Sequence, residues 1–251
     1  MTTLEIEDRP SPNHDSRGDP PRIDMMVLHY TGMTSAEAAL ERLCNPVARV
    51  SAHYVVAEDG RIWRLVPEGR RAFHAGRSCW EGKSDLNAVS VGIELVNPGH
   101  EWGYRPFPEA QMTSVEGLCR EVISRHPIPS HRVVGHSDIA PDRKSDPGEL
   151  FDWPRLARAG IGIWPPAGSS SQAGAIDGSR TLQNLLAIGY CAKPASQTAA
   201  LIAFQRRFRP HRCDGCLDVE TAARLEEVRA AFHRLRADHT SALSTLCNAR
   251  K

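Results

Sequence analysis

The sequence predicts an α/β domain, in which helices flank a central β-sheet, followed by a small three-helix domain. Up to about residue 165, short runs rich in strand-forming residues alternate with segments of helical period. The stretch IWPPAGSSS at 163–171 interrupts this pattern, and beyond it the apolar residues recur with helical period alone. We therefore expect an extended N-terminal arm at 1–21, the α/β domain at 22–165, a linker at 166–176 and the helical domain at 177–251.

The α/β domain is predicted to begin with a buried strand, because the apolar run MMVLHYT at 25–31 is closed by Gly32 and places His29 near its end. Thr34 can cap a helix at 35–43, whose apolar residues recur at i, i+3, i+4 and i+7. Alternating segments on either side of a Glu-Asp-Gly turn predict a β-hairpin. The later elements are a strand at 89–96, a helix at 108–125, a loop that begins after Val134, and a helix that starts near Asp152 with Pro154 in its first turn.

Three amphipathic segments at 180–188, 197–208 and 219–235 make up the helical domain. Each domain has its own apolar pattern, so we expect the α/β domain to fold without the helices.

Composition excludes several classes of protein. The 251 residues are 41% hydrophobic and 24% charged, as in a globular protein rather than a disordered one. A balance of 31 Lys+Arg against 30 Asp+Glu provides no basic field for nucleic acid, and no stretch is apolar enough to span a membrane. We expect a monomer.

Two features of the sequence bear on the cellular compartment. The first twenty residues lack the basic and apolar regions of a signal peptide, which favours the cytoplasm; an upstream start would allow a periplasmic or envelope location. The seven cysteines are odd in number and irregularly spaced, and so favour reduced thiols over a disulfide framework.

A polar loop, GHSDIAPDRKSDPG, is the strongest candidate for chemistry. His136 and Asp146 lie ten residues apart on this Gly- and Pro-containing loop and can converge on a metal ion. His29, at the end of a central strand, would complete a site with three protein ligands and an open position for water. Taken singly, His29 is equally well explained as a hydrogen-bonded core histidine, and Asp146 as a turn former.

Glu94 is an acid inside the apolar strand sequence VGIELV. Facing a cleft, it would act as a general base of raised pKa; facing outward, it would be an ordinary edge-strand acid. Lys144 would stabilise an oxyanion if it stands beside the metal, and is otherwise a surface lysine.

Four blocks in order, VLHYTG, SAHYVV with its DG turn, the stretch from Ala75-Gly76 to SVGIELVN, and GHSDIAPDRKSDPG, resemble the zinc N-acetylmuramoyl-L-alanine amidases of the type 2 amidase family. The resemblance covers 24–164 and implies a mixed central sheet. It further implies that His29, His136 and Asp146 bind Zn²⁺, that Glu94 is the catalytic acid/base and that Lys144 stabilises the oxyanion. The reaction implied is hydrolysis of the amide between the lactyl group of N-acetylmuramic acid and L-alanine, in peptidoglycan or in soluble anhydromuropeptide.

The resemblance also implies a groove for the muropeptide, with ordinary packing as the alternative for each residue proposed to line it. The candidate contacts are Tyr30, Tyr54, His74, Trp80 and Asn87.

The C-terminal part resembles the peptidoglycan-binding type 1 domain in the blocks AFQRRFRP, the Asp214-Gly215 turn and Asp218-x-Glu220-Thr221. Cys213 and Cys216 form a lone CxxC pair, which is weak evidence for a metal, so we interpret these cysteines as incidental. A non-catalytic muropeptide receptor is the alternative function, and the presence of all three ligand types and of Glu94 disfavours it.

Overall fold

The computed structural model describes residues 4–18, 21–166, 168 and 177–248; of 239–248 it describes the backbone alone. Parts of the predicted arm, at 1–3 and 19–20, and almost all of the predicted linker lie outside the described residues.

Among the described residues, eight short strands form the β-structure of the α/β part. They are β1 (Ile6–Asp8), β2 (His14–Ser16), β3 (Met25–Tyr30), β4 (Tyr54–Val56), β5 (Ile62–Arg64), β6 (Arg70–Ala72), β7 (Ser90–Leu95) and β8 (Val133–Gly135). Six of them form a central mixed sheet in the order β1-β5-β4-β7-β3-β8. Strand β5 is antiparallel to β4, as the predicted hairpin requires, and the remaining neighbours are parallel. The prediction of a mixed sheet is confirmed.

Helices pack against this sheet and continue into the C-terminal part. They are α1 (Ala36–Cys44), α2 (Gly99–Trp102), α3 (Glu109–Arg125), α4 (His136–Ile139), α5 (Trp153–Arg158), α6 (Gly178–Ile188), α7 (Gln197–Phe208) and α8 (Val219–Asn248). The hydroxyl of Ser35, not that of Thr34, caps α1. Asp152 caps α5 through the backbone N–H of Arg155, as its position before Trp-Pro predicts.

The N-terminal arm is part of the folded structure. Strand β1 pairs in parallel with β5, and β2 pairs with β6 in a separate two-stranded sheet. Behind them the buried guanidinium of Arg17 donates hydrogen bonds to several backbone carbonyls, among them that of Ser90 at 2.6 Å. These hydrogen bonds attach the arm to the start of β7.

The α/β part and the C-terminal helices share one hydrophobic core. Met25 and Val134 of the sheet belong to the same buried cluster as Phe204 of α7 and Phe232 of α8. The elements before and after the predicted break at 163–171 therefore pack against one another. The expectation that the α/β part folds alone is not supported.

A disulfide joins the two parts of the chain. Cys79, in the loop before β7, is bonded to Cys191, just after α6. The prediction of reduced thiols is wrong for these two residues, because spacing along the chain does not show which cysteines the fold brings together. Cys44, Cys119, Cys213 and Cys216 are free.

Candidate active site

The candidate site lies at the carboxyl ends of three parallel strands. In the register of β3 and β7, His29 is directly opposite Glu94, and His136 follows β8 at the same edge of the sheet. The polar loop returns Asp146 to this edge, where its carbonyl accepts the N–H of Ser137 at 2.9 Å. The fold thus gathers residues that the sequence separates by more than a hundred positions.

His29, His136 and Asp146 form a compact buried triangle. The two Nδ1 atoms are 2.9 Å apart, and each lies 3.0–3.1 Å from Oδ2 of Asp146. Ligand atoms of a tetrahedral zinc ion at ordinary bond lengths are roughly 3.3 Å apart, so this triangle needs only a small expansion to become a metal site.

Hydrogen bonds on the far side of each imidazole assign the free nitrogens. His136 Nε2 is 3.1 Å from the carbonyl of Ala75, so it carries the proton and donates it. His29 Nε2 is 3.0 Å from Nδ1 of His74. His74 Nε2 is in turn 3.2 Å from the hydroxyl of Ser90, which donates to the carbonyl of Leu86. Because the hydroxyl of Ser90 donates to Leu86, it accepts the proton of His74 Nε2, and His74 Nδ1 therefore accepts the proton of His29 Nε2. The Nδ1 lone pairs of His29 and His136 are thus left facing Asp146.

The protonation states favour a cation among these atoms. Burial, followed by the neighbouring His136, lowers the pKa of His29 to about 4, so its ring is neutral at pH 7. Burial alone would raise the pKa of Asp146, but its contacts with His136 and His29 outweigh burial and lower that pKa below its usual range. His29 Nδ1 and Asp146 Oδ2 lie beside His136 Nδ1, and this donor set fits a divalent metal such as Zn²⁺.

Glu94 and Lys144 line the same cavity of about 180 Å³ as His136 and Asp146. Burial raises the pKa of Glu94 well above its usual value, with a further contribution from Asp146. Oxygen Oε2 of Glu94 is buried and has no hydrogen-bond partner among the described residues. Glu94 therefore faces the cleft, one of the two orientations that the sequence allowed, and is free to exchange a proton there.

Tyr30 also lines this cavity, and its hydroxyl is within hydrogen-bond distance of His100 and Ser145. It therefore keeps its place as a candidate substrate contact. His74 reaches the cavity wall but is 8% exposed, and its principal contact is the hydrogen bond to His29.

The other predicted substrate contacts are corrected by the structure. Tyr54 points away from the cavity and donates its hydroxyl to Glu68 at 2.7 Å. Trp80 is fully buried against Tyr190. The side-chain carbonyl of Asn87 accepts the N–H groups of His74 and Ala75, so it shapes the loop rather than a groove. The motif places these residues in the right segment but does not say which way each side chain points.

Several residues that line the cavity belong to no motif from which the sequence could have predicted them. Met33, Arg42 and Phe73 are among them. Gly92 is different, because a glycine inside an otherwise apolar strand often indicates that another group approaches the backbone closely. A Cβ there would lie 2.4 Å from the ring of His74, so this position must be glycine for His74 to reach His29.

Residues 19–149 match the family model described as N-acetylmuramoyl-L-alanine amidase, Amidase_2. The chain belongs to this family. The match includes His29, Glu94, His136 and Asp146, the residues gathered at the edge of the sheet.

Curated members of the Amidase_2 family are similar over much of their length. N-acetylmuramoyl-L-alanine amidase AmiD of Escherichia coli (strain K12) is 38% identical over 226 residues, which are 81% of this chain and 81% of the relative. The 1,6-anhydro-N-acetylmuramyl-L-alanine amidase AmpD of Salmonella typhimurium (strain SL1344) is 34% identical over 164 residues, covering 59% of this chain and 86% of the relative.

Two solved Amidase_2 structures have the same fold. The complex of AmiD from E. coli with the substrate anhydro-N-acetylmuramic acid-L-Ala-D-gamma-Glu-L-Lys matches with a TM-score of 0.75 and 38% identity, over 83% of this chain and 89% of that one. AmpDh3 from Pseudomonas aeruginosa matches with a TM-score of 0.78 and 32% identity, over 92% of this chain and 99% of that one. The peptidoglycan-binding role of the C-terminal helices stays a prediction.

Within the described residues, no helix combines the length and the apolar character needed to cross a bilayer.

Proposed function

We propose that this chain is a zinc-dependent N-acetylmuramoyl-L-alanine amidase, which hydrolyses the amide between the lactyl group of N-acetylmuramic acid and L-alanine. The observation that carries the proposal is the buried triangle of His29, His136 and Asp146, of which His136 and Asp146 line one cavity with Glu94 and Lys144. The triangle alone would suit many metal hydrolases. Membership of the amidase family specifies the bond that is cleaved.

His29 and His136 would hold the zinc through Nδ1, and Asp146 through Oδ2. When bound, the zinc ion would polarise the scissile carbonyl and lower the pKa of the attacking water. The protein keeps both imidazoles oriented for this purpose by hydrogen bonds to Ala75 and His74.

Glu94 would accept the proton released by the attacking water and deliver it to the nitrogen of the leaving L-alanine. Its raised pKa suits both steps, because it makes the carboxylate a stronger base toward the water, and the protonated group can then give its proton to an amine. Lys144 would place its ammonium group beside the oxygen that becomes negative when water adds to the carbonyl. The products are the lactyl carboxylate and a peptide with a free L-alanine amine.

The substrate is proposed to be a muropeptide, either soluble and anhydro or part of the polymer. Support comes from AmiD, whose structure contains an anhydromuramoyl tripeptide. For the location of the protein we propose the cell envelope over the cytoplasm, because a disulfide such as Cys79–Cys191 persists mainly in oxidising compartments.

The experiment compares Glu94→Gln with wild type on a purified anhydromuropeptide, using mass spectrometry to identify the products. We expect zinc-loaded wild type to release the L-alanine peptide. The variant should retain its zinc and turn over about 10²- to 10⁴-fold more slowly, as is typical when a positioned acid/base is lost. Glu101→Gln is the control, since Glu101 is an exposed acid on nearby α2.

Two results would count against the proposal. Turnover of Glu94→Gln close to that of wild type would remove Glu94 from the mechanism. Binding of the muropeptide by zinc-loaded wild type without release of peptide would favour the receptor alternative.

A further inference from the structure

The short helix that carries His136 is held by residues of the C-terminal part. Asp138, two residues after His136, is 1% exposed. Its Oδ2 accepts hydrogen bonds from the backbone N–H of Gly135 at 2.8 Å and from Arg207 at 2.7 Å. Its Oδ1 accepts the hydroxyl of Tyr190 at 2.7 Å. Arg207 and Tyr190, both from beyond residue 177, therefore hold the carboxylate of Asp138 in place. That carboxylate in turn caps the start of α4.

Arg207 is itself held rigidly. Its guanidinium lies over the ring of Trp153, 4.0 Å from the centroid, and donates a second hydrogen bond to the carbonyl of Val133 at 3.1 Å. Val133 opens β8, the strand that leads into His136. The planar guanidinium of Arg207 thus joins α7 both to β8, which precedes the proposed ligand His136, and to α4, which begins with it.

The far end of α4 is held from the same direction. The carbonyl of Ile139 accepts the N–H of Cys79 at 2.8 Å, and Cys79 is bonded to Cys191. Trp80, the next residue, packs edge-on against Tyr190. Gly189 permits this approach, because a Cβ there would lie 2.6 Å from the indole. Both ends of α4 are consequently anchored to the segment that follows α6 and to α7.

We propose that the C-terminal helices are a structural component of the metal site, and that Arg207 and Tyr190 are positioning residues for His136. Metal ligands require support that fixes their orientation, and the loss of such outer partners weakens metal binding. The role of these helices then goes beyond retaining polymer near the enzyme. The proposal rests on the proposed function only in treating the metal as the catalytic one.

The test measures zinc affinity by competition with a chromophoric chelator, using zinc alone as the probe, in the full-length variants Arg207→Met and Tyr190→Phe. Arg209→Met is the matched control. Arg209 is also buried and ion-paired, but its partners, Asp218 among them, all lie within the C-terminal part. Thermal unfolding of the metal-free proteins is recorded in parallel.

We expect Arg207→Met to weaken zinc binding by roughly 10-fold or more, and Tyr190→Phe by several-fold, in the range found for outer partners of metal ligands. Arg209→Met should lower the unfolding temperature but leave zinc affinity within about twofold of wild type. A role in stability alone predicts the same pattern for all three variants.

Zinc affinities of Arg207→Met and Tyr190→Phe within twofold of wild type would overturn the proposal. If Arg207→Met does not fold, Tyr190→Phe decides alone, since it removes one hydroxyl and keeps the ring that packs on Trp80. Failure of wild type to cleave a muropeptide would count against the proposed function and leave the zinc measurements unaffected.

Discussion

His74 shows how a buried imidazole can orient a proposed metal ligand without being one itself. Its Nδ1 accepts from His29, while its Nε2 is bonded to Ser90. Burial, followed by the proximity of other imidazoles that would also titrate, lowers the pKa of His74 well below the usual value, so the ring stays neutral and keeps one acceptor nitrogen. That acceptor orients the ring of His29.

Gly92→Ala should disturb this arrangement without touching any proposed ligand. The new Cβ would overlap the ring of His74, so either the ring or β7 must shift and the hydrogen bond to His29 weakens. We expect zinc affinity to fall by roughly 10-fold, measured by chelator competition. Gly69→Ala is the control, because a Cβ at Gly69 meets nothing within 4 Å. Equal zinc affinities in the two variants would show that His74 is not needed to orient His29.

The sequence identifies the proposed ligands better than it identifies the residues around them. His29 and His136 occur at the ends of apolar strand segments, and parallel strands bring such ends to one edge, so their convergence is predictable. Tyr54, Trp80 and Asn87 were misassigned because their orientation depends on tertiary partners. Trp80, for instance, packs against Tyr190, which lies beyond the break in the chain.

At the scale of elements, Glu68 links the hairpin to helix α3. It accepts hydrogen bonds from Tyr54 of β4, from Arg125 at the end of α3 and from His126. Burial alone would raise the pKa of Glu68, but these bonds, with that of Arg125 the largest, lower it from 4.5 to about 2. The folded protein therefore holds this proton less tightly than the unfolded chain does.

Glu68→Gln should destabilise the metal-free protein in a pH-dependent way. Because the folded-state pKa is the lower one, the ionised carboxylate stabilises the fold fully above pH 4.5, and this contribution is lost as the pH falls toward 2. Urea unfolding should show a clear difference between wild type and variant at pH 7, and a smaller one at pH 3. Glu121→Gln, which alters a more exposed partner of Arg125, is the control. A difference that stays constant with pH would contradict this account.

The longer elements and the hairpin follow from the sequence, while strands β1, β2 and β6 do not. The spacing of apolar residues in α3 and in the hairpin predicts where these elements lie along the chain to within a few residues. Strands β1, β2 and β6 consist mostly of charged or polar residues and are defined by pairing with distant segments. No local pattern could have predicted them.

For the whole molecule, the shared core makes the C-terminal helices part of the folding unit. A chain that ends at residue 166 would uncover Trp80 and leave the buried carboxylate of Asp138 without Arg207. Removing one partner of a buried ion pair alone costs about 3–5 kcal/mol, a large share of the stability of most domains. We expect this shortened protein to lose cooperative unfolding and its activity on a small muropeptide.

A chain that ends at residue 238 is the control, because it retains every contact discussed above. Circular dichroism melting curves and turnover of a soluble anhydromuropeptide distinguish the two. Cooperative melting and wild-type turnover in the chain that ends at 166 would show that the α/β part is autonomous, as the sequence pattern alone suggests.

The central claim is that one zinc ion, held by His29, His136 and Asp146, makes this chain an amidase. The most direct measurement titrates zinc into metal-free protein and follows both bound metal and the release of L-alanine peptide from an anhydromuropeptide. The account predicts that activity is absent at the start, rises in proportion to bound zinc and levels off at about one ion per chain. Full activity in a preparation shown to be free of metal, or zinc binding at that stoichiometry with no peptide released, would contradict it.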